Sequence, residues 1–242
     1  MNALVKFTLS LSLIIFGFSE STAQWNKKVV GNGDITTNKI TTQSYDKIKV
    51  VGSMDVHLER GSEGSVSVKT DSNLQEYVIV ESKDNTLVIR TKENVNLKTR
   101  KGIHITVPFE AISGVSLVGS GDIDTKDTIK SDSFDVSVRG SGDIVLAVES
   151  NNLDAKVNGS GDLTLSGSAT NLEVKVSGSG NFEGSSLNAE NTQVYVSGSG
   201  DAEVTATKSI KARVNGSGDI EYSGNPVNSD TKVMGSGDIS SN

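Results

Sequence analysis

Asp122, Asp143, Asp162, Asp201, Asp219 and Asp238 each close a Gly-Ser-Gly-acid phrase, and Asn181 closes another. As a phosphate loop the phrase lacks context, because neither a Lys-Ser/Thr pair nor a helix follows it. As a cation site it is better equipped. Stacked at the inter-strand spacing of about 4.8 Å, these carboxylates would form a ladder suited to calcium, which takes oxygen ligands. Against this, calcium-binding solenoid turns recur every nine or so residues, and Asn181 removes a charge in the middle of the ladder. As a structural corner the phrase asks least. Glycine permits positive φ at a sharp turn, Asp and Asn alike can accept hydrogen bonds from nearby amides, and the serines could add a ladder of hydroxyls.

Other chemistry has few residues to use. His57 and His104 sit in the strand-like runs "DVHLE" and "GIHITV", alternating with apolar neighbours, and are expected on the solvated face. Neither a Gly-X-Ser-X-Gly elbow nor a His-Glu-X-X-His motif is present, so no catalytic residue or cofactor is expected. Paired carboxylates for glycoside cleavage are a tertiary property that spacing alone does not reveal.

The elements that must hold these phrases follow from their spacing. The first glycines are Gly119, Gly140, Gly159, Gly178, Gly198, Gly216 and Gly235, at intervals of 21, 19, 19, 20, 18 and 19 residues. Two residues before them stand Leu117, Val138, Val157, Val176, Val196, Val214 and Val233, and four after them Ile123, Ile144, Leu163, Phe182, Ala202, Ile220 and Ile239. Polar residues alternate with these, which is the period of a strand with one buried face. A unit of this length cannot stand alone: its few inward side chains supply ~1.5–3 kcal/mol each, against ~1–2 kcal/mol of backbone entropy per ordered residue. Stacking is required. The expected fold is all-β, a parallel β-helix (β-solenoid), expected right-handed, with rungs of about 19 residues. "IKVVGSMDVHL" repeats the register upstream, as does "VVGNGDI" around Gly31, whereas residues 60–112 keep strand runs without the corners and are expected to cover one end of the stack.

Composition bounds the rest. Lys6, the apolar run Phe7 to Phe18 and the small-residue site Ser21-Thr22-Ala23 read as a signal peptide over 1–23. The run is shorter than the ~20 residues that cross a bilayer, so no transmembrane span is expected in the mature chain. Residues 24–242 then form one β-solenoid domain, with divergent strands over 24–118 and regular rungs over 119–242. The chain has no cysteine, so stability must come from burial and hydrogen bonding. A net charge of −7 argues against nucleic acid, which needs a clustered basic face. The last unit, "VMGSGDISSN", stops after its corner with Val233 and Ile239 uncovered, and an unprotected edge invites pairing; a homo-oligomer is expected there.

The order of a signal peptide, "IKVVGSMDVHLERG", "LVIRTK", "ITVPFEAISGVSLVGSGDI" and serial "GSGDI" rungs resembles the putative auto-transporter adhesin head GIN domain family, a family of unknown function. The resemblance covers about residues 38–224 and implies an exported bacterial β-solenoid without defined site residues. The expected function is therefore a non-catalytic adhesin or cell-envelope interaction module in the periplasm, at the cell surface or outside the cell, with a glycan or protein ligand on its outward faces. The alternatives are a polysaccharide lyase or hydrolase on a β-helix scaffold, and a calcium-stabilised structural protein.

Overall fold

The structure, a computed structural model, describes residues 27–242; the expected leader over 1–23 lies outside the described residues. The repeat folds as a parallel β-solenoid whose rungs are in register at the columns expected from spacing. Ile123, Ile144, Leu163, Phe182, Ala202, Ile220 and Ile239 are successive partners. So are Leu117, Val138, Val157, Val176, Val196, Val214 and Val233. All but the terminal Val233 and Ile239 are buried, and the columns fuse into one apolar core.

The rungs between Ile123 and Gly216 are each continuous strand rather than two strands joined by a loop, and the last is split into Ile220–Ser223 and Asn228–Gly235. In Ile144–Gly159 the inward positions Ile144, Leu146 and Val148 are buried, Glu149 to Asn152 turn outward, and Leu153, Ala155 and Val157 are buried again. The polar segment between the two apolar triplets is thus a second bend, opposite in sequence to the glycine corner. Variation in repeat length is absorbed near this bend. The register shifts lie between Asp124 and Thr128, Thr164 and Gly167, Gly184 and Asn188, and Ala189 and Asn191, as bulges that admit extra residues while the glycine corner stays aligned.

Upstream, stacking order departs from chain order. Lys47–Gly52 pairs with Gly114–Gly119 on one side and with Thr86–Thr91 on the other. Asp55–Arg60 likewise lies between Ile123 to Thr125 and His104–Phe109. The "IKVVGSMDVHL" rung is therefore inserted between two rungs that come later in the chain. Antiparallel strands close this end: Val78–Lys83 on Thr86–Thr91, and Ser65–Asp71 between His104–Phe109 and Ile35–Thr41. The expectation for "VVGNGDI" is overturned. Lys27–Val30 pairs only with Val95–Lys98, and Gly31 packs on the buried carboxyl of Asp71, where a Cβ would come within 2.3 Å. That carboxyl accepts the backbone N–H of Gly33 at 2.6 Å and of Arg100 at 3.2 Å, so the glycine there makes room for an anchor rather than for a rung.

At the regular corners both glycines are required, for different reasons. Gly159 has φ +128°, a conformation that L side chains rarely adopt. Gly161 does not need positive φ; it needs the missing side chain, because a Cβ would lie 2.0 Å from the carbonyl oxygen of Gly142. At Gly159 too a Cβ would clash, 2.3 Å from the Gly140 carbonyl oxygen, and that close approach lets the N–H groups of Ser160 and Gly161 share this carbonyl, at 2.8 and 3.1 Å. Gly161→Ala is expected to cost about 3 kcal/mol or more as an overpacked substitution, and the exposed neighbour Ser160→Ala less than about 0.5 kcal/mol. Urea unfolding of both variants checks this.

Candidate functional site

The corner acids are brought together as a ladder, and their first partner is the backbone. Asp143 N–H donates to Oδ1 of Asp122 at 3.1 Å, Asp162 N–H to Asp143 at 2.8 Å, and Asn181 N–H to Asp162 at 2.8 Å. Asp201 N–H donates to Oδ1 of Asn181 at 2.9 Å, Asp219 N–H to Asp201 at 2.8 Å, and Asp238 N–H to Asp219 at 2.7 Å. Asn181 substitutes without a break because only an acceptor oxygen is needed, and its own amide nitrogen donates to Asp162 at 3.1 Å. Among the described residues no three Asp, Glu or His side chains converge as a metal site. The corner serine hydroxyls, expected as a second ladder, make no hydrogen bond among the described residues; the serines contribute their backbone N–H instead.

His57 and His104 face outward as expected, but each meets a carboxylate. His57 Nδ1 contacts Asp124, and His104 Nδ1 lies 3.4 Å from Asp55. These pairs belong to the upstream rungs. Residue types alone did not reveal them, because the partners are 67 and 49 positions away in sequence.

The wall that precedes the glycine corner carries two adjacent outward columns of opposite charge. Asp135, Asp154 and Glu173 stack in one, and Lys156 and Lys175 in the next, followed by Tyr195 and Arg213. Burial raises the Asp154 carboxyl above its usual range, with Lys156 opposing and Glu173 reinforcing the shift. The hydrogen bond from Lys175 holds Glu173 below its usual range. Lys211 Nζ sits 5.8 Å from the centre of the Tyr195 ring, within cation–π range. This wall presents acids and bases in neighbouring columns. On the opposite wall Glu183, Glu203 and Glu221 stack in successive rungs, with Thr164 donating to Glu183 at 3.0 Å.

A concave surface lies at the second bend. An open groove of about 790 Å³ runs along the stack over successive rungs. Its floor is the column Ser131, Ser150, Ala169 and Ala189, whose small side chains create the depression. Lys130, Glu149, Ser168 and Asn188 form one side, and Asp132, Asn151, Thr170 and Glu190 the other. Lys130 pairs with Glu149 at 2.7 Å and Lys208 with Glu190 at 2.6 Å, which fixes charges at both ends of the groove. Between them, Asn151 Nδ2 donates to Asp132 at 2.6 Å and Thr170 Oγ1 to Asn151 at 3.5 Å. Below this side runs an amide ladder, Asn171 to Asn152 at 3.0 Å and Asn191 to Asn171 at 3.2 Å. The surface offers hydroxyls, amides and paired charges at regular spacing.

The family model described as "Putative auto-transporter adhesin, head GIN domain" matches residues 44–226. A crystal structure of a putative adhesin from Bacteroides fragilis NCTC 9343 superposes with a TM-score of 0.83 at 24% identity, covering 88% of this chain and 100% of the other. One of a putative lipid binding protein from Parabacteroides distasonis ATCC 8503 gives 0.74 at 27% identity, covering 89% and 100%. A putative adhesin from the same organism gives 0.73 at 26% identity, again covering 89% and 100%. No curated protein matches the sequence.

Two outcomes test this description. Asp162→Ala is expected to lose about 1–2 kcal/mol of stability and Asp162→Asn less than about 0.5 kcal/mol, with melting unchanged between calcium and chelator; a chelator-dependent melting temperature would restore the cation reading. For Asp154 the sign runs the other way. Its folded pKa is raised, so its ionisation costs stability once pH rises past the ordinary carboxylate range, and the cost is absent below that range. Asp154→Asn is therefore expected to gain about a few tenths of a kcal/mol at neutral pH, small because the group is largely exposed, and nothing in acid. Denaturant titrations at both pH values measure it.

Proposed function

The chain belongs to the family of the auto-transporter adhesin head GIN domain, and from that premise we propose that it is an exported, non-catalytic interaction module whose ligand is a polyhydroxylated chain lying along the second-bend groove. The observation that carries this reading is the groove itself: it is concave, extends across successive rungs, and is lined by Ser131, Ser150, Thr170, Asn151 and Asn188 with ion pairs at both ends. A glycan strand has repeating hydroxyls, and polar groups recurring at the spacing of stacked strands supply matching donors and acceptors. Export accords with the leader-like N-terminal sequence; no helix among the described residues is long and apolar enough to cross a membrane. Copies of the chain would meet at the exposed strand Asn228–Gly235.

The non-catalytic part of the proposal has its own support. The clustered acids and bases Asp154, Glu173, Lys156 and Lys175 lie on the wall that precedes the glycine corner, with Lys175 paired to Glu173, and they do not line the groove. Neutral and acidic envelope polysaccharides arrayed on a surface should retain the protein. Ser168→Trp and Asn188→Trp, which fill the groove from exposed positions, should weaken retention at least tenfold while changing stability by less than about 0.5 kcal/mol. Retention unaffected by either substitution would remove the groove as the site, and release of new reducing or unsaturated sugar ends would overturn the non-catalytic reading. Cell fractionation with the full chain tests export: the protein should be recovered outside the cytoplasm.

A further inference from the structure

The strand Asn228–Gly235 has one edge without a strand partner among the described residues, and a self-complementary sequence. Asn228–Gly235 pairs with the preceding rung only through its Ser209 to Gly216 side, and every residue of it is exposed. Its inward positions follow the core columns: Ser229 continues Ile210, Thr231 continues Ala212, and Val233 continues Val214. Its outward positions are Asp230, in the column of Lys211, and Lys232, in the column of Arg213. Val233 remains 38% exposed where its column partners are buried. Such an edge is a template for another strand.

We propose that this edge pairs with the same strand of a second copy, antiparallel, about a two-fold axis through Thr231. A closed two-fold contact uses one patch on both subunits, and in an antiparallel pair directly opposed residues point to the same face. Inward and outward residues therefore stay matched only in registers centred on a residue of the strand. Centring on Asp230 sets Asp230 against its own copy, and centring on Lys232 sets Lys232 against its own copy; like charges directly opposed are destabilising. Centring on Thr231 sets Asp230 opposite the second copy's Lys232 twice over, and sets Ser229 opposite the second copy's Val233 on the core side. Arg213, which already binds the Asp230 carbonyl at 2.7 Å, stays beside the new pair. The two cores then continue into each other, and Val233 is covered.

This rests on the reading that copies meet at this strand, and two measurements separate that reading from the register. The full exported chain should sediment as a dimer, and Lys232→Glu, which sets acid against acid at both contacts, should raise the dissociation constant at least tenfold. Because the chain has no cysteine, a single introduced thiol reports position. Thr231→Cys should form a covalent dimer with oxidised glutathione, since opposed residues of an antiparallel pair fall within disulfide reach. Ser229→Cys should not, because its two copies lie about four strand residues apart along the axis. A dimer in which Ser229→Cys cross-links and Thr231→Cys does not would overturn the register alone. A monomer at high concentration would overturn the contact itself, and leaves the groove proposal to stand or fall by its own binding assay.

Discussion

Consecutive backbones approach closely at the glycine corner, and the rest of the solenoid depends on it. Consecutive rungs there come near enough for two N–H groups to reach one carbonyl, as Ser160 and Gly161 reach Gly140. No residue with a Cβ fits at either outer position. Once the corner is fixed, each rung starts in the same place, and Val falls on Val for the length of the stack. Register is then set by a steric condition repeated at every turn rather than by the apolar columns alone, which tolerate Ala155, Ala202 and Ala212 among larger residues.

The same constraint assigns the acids their work. A corner so tight leaves the amide of its last residue directed at the rung behind, and a side-chain oxygen of that rung is the acceptor. Asp and Asn serve equally, which explains Asn181 without reference to a cation. Variation is displaced to surfaces where the steric condition is relaxed. At the second bend, bulges and length changes are admitted, small residues line up as a groove, and polar side chains vary from rung to rung.

Much of this was legible in the chain and some was not, for reasons that differ by region. The columns through Val138 and Ile144 repeat in sequence at the distance at which they repeat in space, so counting residues located them. The role of Gly161 was misassigned to backbone conformation, because a missing Cβ and a positive φ leave the same letter in the sequence. "VVGNGDI" was mistaken for a rung since spacing alone cannot tell a stacked glycine from one that accommodates the buried carboxyl of Asp71. The groove escaped notice because its floor, Ser131, Ser150, Ala169 and Ala189, has no shared residue type; only the common smallness of the side chains marks it. The pairing of His57 with Asp124 depends on the insertion of one rung between two later ones, which no local pattern encodes.

That insertion has a mechanical consequence. From Ile144 onward each rung touches the one synthesised just before it, so the stack can grow, or be drawn apart by force on its C-terminal end, one turn at a time. The rung of Lys47–Gly52 and Asp55–Arg60 is held on both sides by chain that arrives much later. Neither flank can detach without exposing Ile48, Val50, Val56 and Leu58, all fully buried or nearly so. The molecule is thus a zipper with a locked end: a row of separable teeth fastened to a clasp that must open all together.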